Sequence, residues 1–457
     1  LAPWGRRRSW RFRPSRGMCM PGTCAAAALV STQACWGSSC PGCRKRIEDM
    51  TDRTKRVVLV MDYGDVRGGL EKVCIESALA LKAQGKDVVF FCGVPPLDPR
   101  LEAAGIETHC LGVSDIASNA SRLAAIRTGL WNRTAGQKLD QVIRDTNDLS
   151  ATVVHVHCWT KSLSSAIGPV VTAPDVRHVF TMHEYFFACP NGGFFDYPRN
   201  GICGKRAMSL SCMVTNCDVR NPAHKAFRVV RQGMQKTFGR LPRGVRNIIY
   251  ISELQHEVMR SYFPAATRFF NVSNPVIDEK PEQVDVAANE AFVFVGRLAA
   301  AKGGVEFAHA AKAAGVRAVF IGDGPQKDEI RAACPEAEIL GWIESSQVAG
   351  LLREARALVF PSLWYECQPL VPLEALAAGI PVISGDWTAG RESVVNGRNG
   401  IIIKDLDPQG SFGAALAALK DPEAARRYGN AAYQMFWADP LTMGRHLDRL
   451  NTVYEAI

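Results

Sequence analysis

Short apolar runs alternate along the chain with glycine loops and with stripes of helical spacing. Arg56 to Met61, apolar from Val57 on, fits a central parallel strand buried on both faces, and Asp62-Tyr-Gly-Asp-Val-Arg-Gly-Gly-Leu-Glu71 follows it directly. Leu70, Val73, Cys74, Ala78 and Leu81 then recur near the helical period up to Gln84, and Gly85 ends the helix. Val88 to Cys92 is the next strand, so the order strand, glycine loop, helix, strand predicts a parallel sheet wrapped on both faces. Residues 153–157 and 178–182 read as further strands of the same series.

A second series starts near Ala291. It predicts strands at 292–295, 318–321, 339–340, 357–360, 382–383 and 400–403, with a helix over 303–314. Two such series predict an α/β chain of two doubly wound, Rossmann-like domains with a cleft between them. Asn274-Pro275 and the polar stretch 278–289 mark the expected linker, and 440–457 reads as helical. The expected organisation is an extension at 1–49, a first domain at 50–274 with a cysteine-rich insertion at 189–217, a second domain at 275–435, and a terminal helix in 436–457.

Candidate chemistry concentrates in the second series. Pro361-Ser-Leu-Trp-Tyr-Glu-Cys-Gln-Pro-Leu-Val-Pro-Leu-Glu-Ala-Leu-Ala-Ala-Gly-Ile-Pro381 places Glu366 on the loop leaving a strand's carboxyl end. Pro372 suits a first helical position, which puts Glu374 in the first turn, and Gly379 with Pro381 stops the helix. Carboxylates there can accept hydrogen bonds from sugar hydroxyls while the free amides of the helix start face a phosphate. Upstream, Phe292-Val-Phe-Val-Gly-Arg-Leu-Ala-Ala-Ala-Lys-Gly-Gly puts Arg297 just past a strand and Lys302 just before a helix. Two cations so placed can neutralise a diphosphate and stabilise the charge that grows on it as a leaving group. Gly322-Asp-Gly-Pro325 forms a turn after the next strand.

The spacing of Glu366 and Glu374, the Gly-Arg-Leu…Lys-Gly segment and the Gly-x-Gly-Pro turn resemble those of retaining glycosyltransferases of the GT-B fold, family four (glycosyl transferases group 1). The resemblance runs over roughly residues 55 to 435. It implies that Glu366 holds hydroxyls of a donor sugar, Glu374 the nucleotide's ribose, and Arg297 and Lys302 the diphosphate. Gly322 and Gly324 would lie against the nucleotide. Cys367, Gln368, Pro369, Leu370 and Val371 would line the donor loop, where Cys367 to Pro369 depart from the family's commoner Gly-Phe-Gly. In the first domain, Gly68 and Gly69 resemble the loop that covers the phosphates or the acceptor. His183, in Thr181-Met-His-Glu184, matches a histidine that contacts the donor sugar. The resemblance further implies a terminal helix that crosses back to the first domain.

Cys189-Pro-Asn-Gly-Gly-Phe-Phe195, Cys203, Cys212 and Cys217 mark a subset of such proteins with a cysteine-rich insertion. Four thiols within this short stretch could clamp it with one structural zinc; free buried thiols and disulfides are the alternatives. The triplet Asp405-Leu-Asp407 sits in a turn after the last strand, and no catalytic metal is expected.

Composition adds little: 47% hydrophobic and 22% charged residues is globular. The net charge of +9 is misleading, because residues 1–49 carry nine cations against Glu48 and Asp49, leaving a surplus of only two for the rest. A nucleic-acid partner is therefore not expected. That leader has five cysteines, no periodicity and no initial Met, whereas Met50 precedes the first strand. It reads as a non-native or disordered extension, with a secretory signal as the alternative. Arg220 to Arg246 carries eight Lys and Arg and no Asp or Glu, with Phe227, Val230, Met234 and Phe238 on one helical face. The segment fits peripheral contact with an anionic membrane, or a solvated basic face.

The expectation is a cytoplasmic, metal-independent, hexosyltransferase-type enzyme, peripheral on the inner face of the membrane. It would move a sugar from a nucleoside-diphosphate donor to a glycan, lipid-linked saccharide or small hydroxyl acceptor, in cell-surface polysaccharide synthesis. The alternatives are a sugar-nucleotide epimerase or hydrolase of the same fold and a noncatalytic zinc-clamped binding protein.

Overall fold

The computed structural model describes residues 53–457, so the expectations for 1–49 lie outside the described residues. Two parallel sheets carry the fold. The first holds β1 (Arg56–Tyr63), β2 (Asp87–Val94), β3 (Glu107–Cys110), β4 (Thr152–Val156), β5 (Arg177–Thr181), β8 (Asn247–Tyr250) and β9 (Arg268–Asn271) in the order β3-β2-β1-β4-β5-β8-β9. A small antiparallel ribbon, β6 (Phe195–Asp196) with β7 (Gly201–Ile202), lies in the cysteine-rich insertion. The second sheet holds β10 (Ala291–Val295), β11 (Ala318–Ile321), β12 (Glu338–Gly341), β13 (Ala355–Phe360), β14 (Val382–Gly385) and β15 (Gly400–Ile403), ordered β12-β11-β10-β13-β14-β15.

The helices that bear on the site are α1 (Gly69–Ala83), α2 (Arg122–Leu130), α3 (Pro222–Thr237), α4 (Gly304–Ala314), α5 (Leu370–Ala377), α6 (Pro422–Ala438) and α7 (Met443–Ala456). Alternate residues of β1 feed two cores: Val58 and Val60 enter one, Val57, Leu59 and Met61 the other. A strand covered on both sides must be apolar at every position, which is why 57–61 shows no alternation. In both sheets the strand order reverses at one point, between β1 and β4 and between β10 and β13. Ligands of open parallel sheets bind at such points, outside the carboxyl ends of the strands.

The stretch 278–289 is not a free linker. Val284 and Val286 are buried in the second domain's core, and Arg356 donates to the carbonyls of Ala287 and Asn289. The chain crosses between domains twice, and the crossings are bonded to each other: Val276 N–H donates to Leu441 O at 2.8 Å, and Met443 N–H to Asp278 Oδ1 at 2.7 Å. Beyond the second crossing, α7 lies on the first domain. Its Leu447, Leu450, Val453 and Tyr454 complete the core under β1, and Tyr454 OH meets His155 Nδ1 at 2.8 Å.

Candidate functional site

The loops leaving β10, β11 and β13 crowd together because three glycines permit it. A Cβ on Gly322 would lie 1.9 Å from Gly296 O, one on Gly324 2.3 Å from Leu298 O, and one on Gly303 2.3 Å from Pro361 O. All three have positive φ, a region that disfavours side chains. The Gly303 contact presses the start of α4 onto the Pro361 loop and so brings Lys302 to Glu366. Lys302 Nζ donates to Glu366 Oε1 at 2.6 Å, and Ser362 Oγ donates to the same oxygen at 2.8 Å. Lys302 also lies over the Trp364 ring, 5.2 Å from its centroid. Glu366 is 8% exposed and has φ +51°, a left-handed conformation costly for a residue with a side chain. Arg297 is solvent-exposed on the loop after β10.

Helix α5 begins earlier than expected. Pro369, extended at φ −72°, is its N-cap, so Pro372 is the third helical residue and Glu374 the fifth, beyond the first turn. Pro372 still falls among the amides that have no partner within the helix, so its missing N–H costs nothing. No side chain caps α5. Glu374 is half-buried; burial pushes its carboxyl pKa up, and Lys72 of α1 draws it partly back.

Two donor-loop residues are engaged elsewhere. Gln368 Oε1 accepts from Asn274 N–H at 2.7 Å, which ties the loop to the first crossing. Cys367 and Tyr365 pack against the first domain's core. The first domain reaches this loop directly, since Tyr185 OH donates to Glu366 O at 2.7 Å and Gly193 packs against Trp364. Opposite α5, the exposed Gly68 is the extended N-cap of α1, and Gly69 approaches Leu370. Val371, beside Leu370, packs against the second domain's core.

His183 belongs to a line of rings. Its Nε2 lies 3.0 Å from His157 Nδ1, and these two rings stack with centroids 5.3 Å apart; His157 lies tilted against His155 at 4.1 Å; His155 is held by Thr181 Oγ1 at 2.7 Å and by Tyr454. Burial lowers all three pKa values, that of His183 to about 3, so the rings are neutral near pH 7. Their length and spacing in the sequence carried no sign of this stack except that His155, His157 and His183 all lie on or just past strand ends. His157 Nε2 and Glu184 Oε2 are buried without a partner and belong to residues that line one small cavity with Leu70.

The four insertion cysteines do not form a metal cage. Among the described residues no three His, Cys, Asp or Glu are placed to hold an ion. Lys225 lies beside two of the thiols: its buried ammonium is 3.2 Å from Cys217 Sγ and 3.9 Å from Cys212 Sγ. Cys189 Sγ accepts from amides of its own turn, and Cys203 lies toward Tyr365. Cys189, Cys203, Cys212 and Cys217 are free thiols in this arrangement. Asp405 closes its own turn by accepting from the backbone N–H groups of Asp407 and Ser411.

Residues 68–274 match the family described as glycosyl transferase 4-like domain, and residues 289–421 match glycosyl transferases group 1. Glycogen synthase of Mycobacterium tuberculosis is 33% identical over 162 residues, which cover 32% of this chain and 38% of that protein. A GDP-mannose-dependent alpha-mannosyltransferase of Mycolicibacterium smegmatis is 32% identical over 167 residues, 36% of this chain and 42% of that protein. The aligned stretches therefore span about two fifths of these relatives. Among solved structures, Anabaena HepE in complex with UDP and glucose superposes with a TM-score of 0.60 at 13% identity, covering 88% of this chain and all of that one. Sucrose-phosphate synthase from Thermosynechococcus elongatus gives 0.60 at 17% identity, covering 88% and 98%. These likenesses establish the GT-B fold.

Proposed function

Through its two matched domains the chain belongs to the glycosyltransferases of GT-B fold, and from that premise we propose that it transfers a sugar, with retention, from a nucleoside diphosphate to a hydroxyl acceptor. The observation that carries this reading is the 2.6 Å pair of Lys302 and Glu366 at the switch point of the second sheet. An ammonium has three donors. Lys302 can keep Glu366 in place with one and offer the others to a diphosphate. Arg297, free in solvent on the adjoining loop, supplies the second cation. The uncapped amides of α5 supply partial positive charge.

Glu366 then accepts from hydroxyls of the sugar and Glu374 from the ribose. As the glycosidic bond breaks, negative charge grows on the departing phosphate, where these donors already point, so they favour the transition state over the ground state. No carboxylate is assigned as a nucleophile. The acceptor enters on the face the phosphate leaves, and the phosphate takes its proton. A neutral His183 donates or accepts one hydrogen bond to the sugar without adding charge. The reaction is metal-independent on this reading, since Arg297 and Lys302 carry the neutralisation. The acceptor is a glycan, a lipid-linked saccharide or a small hydroxyl compound, as in cell-surface polysaccharide synthesis.

Incubation with UDP-glucose, GDP-mannose and other nucleotide sugars, with and without saccharide acceptors, tests the reading by release of nucleoside diphosphate. Turnover with at least one donor, with the product's anomeric configuration kept, is expected. No release from any donor, or inversion, would overturn it.

A further inference from the structure

Helix α3 is amphipathic in reverse. Its buried positions are Lys225, Gln232 and Gln235, whereas Val230 and its C-cap Phe238 are 53% and 65% exposed. The polar face is anchored inward: Gln232 Nε2 donates to the carbonyls of Phe186 and Phe187, each at 3.1 Å, and Gln235 Nε2 to Phe186 O at 2.9 Å. Hydrogen bonds hold this helix, and of its apolar stripe Val230 and Phe238 are turned outward while Phe227 and Met234 are half-buried.

Helix α2 extends that stripe. Phe227 packs against Gly129, and Phe238 meets Trp131 edge-on with centroids 6.3 Å apart. On α2, Leu123 is 80% and Ile126 45% exposed. Neither 117–139 nor 219–252 contains an Asp or Glu, while Arg122, Arg127, Arg133, Lys236, Arg240 and Arg243 are exposed there. A nucleic acid would find large apolar side chains among the cations. A second copy would set cation against cation.

We propose that α2 and α3 together dock on an anionic lipid membrane. Leu123, Ile126, Val230 and Phe238 enter the boundary between headgroups and acyl chains, and the surrounding cations pair with lipid phosphates. Contact is thus peripheral; no helix among the described residues is long and apolar enough to cross a membrane. The proposal goes beyond sugar transfer and does not rest on it, because lipid binding is read without donor or acceptor.

Flotation of the full chain with vesicles tests it. Vesicles of equal phosphatidylcholine and phosphatidylglycerol should carry the protein, vesicles of phosphatidylcholine alone should not, and added salt should weaken binding. The double variant Val230→Glu, Phe238→Glu should bind about tenfold or more weakly with unchanged circular dichroism, since both side chains are exposed. Leu123→Ser, Ile126→Ser should give a similar loss by changing α2 alone. Equal binding to neutral vesicles, no binding to either, or full binding by both variants would overturn the proposal. So would sedimentation showing a wild-type dimer that the variants break, which would assign the face to a second copy.

Discussion

Tyr185 of the first domain donates its phenol hydrogen to the carbonyl of Glu366 in the second, at 2.7 Å. It thereby fastens the residue of the donor loop that is held at left-handed φ. Tyr185 itself is fully buried between Phe194 and Tyr365. Replacing it by Phe keeps the packing and leaves a buried carbonyl unpaired, at a cost of about 1–3 kcal/mol. Tyr185→Phe should therefore lower stability in urea by that amount and raise the KM for the donor more than it lowers kcat. An unchanged KM would show that the bond does not govern the shape of the donor loop.

Arg297, on the loop after β10, is exposed and Glu374, in α5, is half-buried, so their removal should leave the fold intact. Arg297→Ala and Glu374→Ala should each reduce turnover by more than about tenfold, the loss of one charge-assisted hydrogen bond made in the transition state. Near-normal rates in both would place the donor elsewhere.

The strands were legible because strands covered on both faces need unbroken apolar runs, and Val57–Met61 and Ala357–Phe360 supply them. What the residues could not announce were contacts between distant segments. Tyr185 with Glu366 and Gln368 with Asn274 are separated by 181 and 94 positions and depend on how the two domains meet. Proline misled at α5, where Pro369 and Pro372 both fit a helix start and only the backbone distinguishes them. In the insertion, a lysine eight positions after Cys217 folds back to the thiols, a contact the cysteine spacing does not announce. In α3 the periodicity marks an apolar stripe, and Val230 and Phe238 of that stripe are exposed.

Histidines give a pH dependence of definite sign. Burial lowers the pKa of His155 and His157, of His446 to about 4 and of His183 to about 3, from about 6.5 in the unfolded chain. The unfolded state thus binds more protons below pH 6.5. The stability these rings contribute is fully present above that pH and is lost as pH falls toward their folded values. Each should contribute a slope of up to about 1.4 kcal/mol per pH unit. Urea unfolding between pH 7 and 5 should show it, and His446→Gln, which can keep bonds to Ser273 O and Ser77 Oγ, should remove one proton's share. A flat profile would mean the rings are charged when folded.

Two glycines with similar dihedrals separate backbone strain from site geometry. Gly303 has φ +72° and Gly315 φ +59°, so alanine at either pays the left-handed penalty of about 1–2 kcal/mol. Around Gly315 the nearest atom to a new Cβ is Lys420 Nζ at 3.9 Å, ordinary contact. At Gly303 the Cβ would lie 2.3 Å from Pro361 O and 3.0 Å from Pro361 C, and a peptide group cannot rotate away as a side chain can. The start of α4 must then move off the Pro361 loop, carrying Lys302 from Glu366, which is buried and would keep only Ser362 as its partner. Gly315→Ala should lower stability by that penalty and leave donor turnover within about twofold of normal. Gly303→Ala should lose more stability and at least about tenfold in kcat/KM for the donor, because both the cation and its carboxylate partner are displaced. Equal kinetics in the two variants would mean that the approach of α4 to the Pro361 loop is not what aligns Lys302 with Glu366.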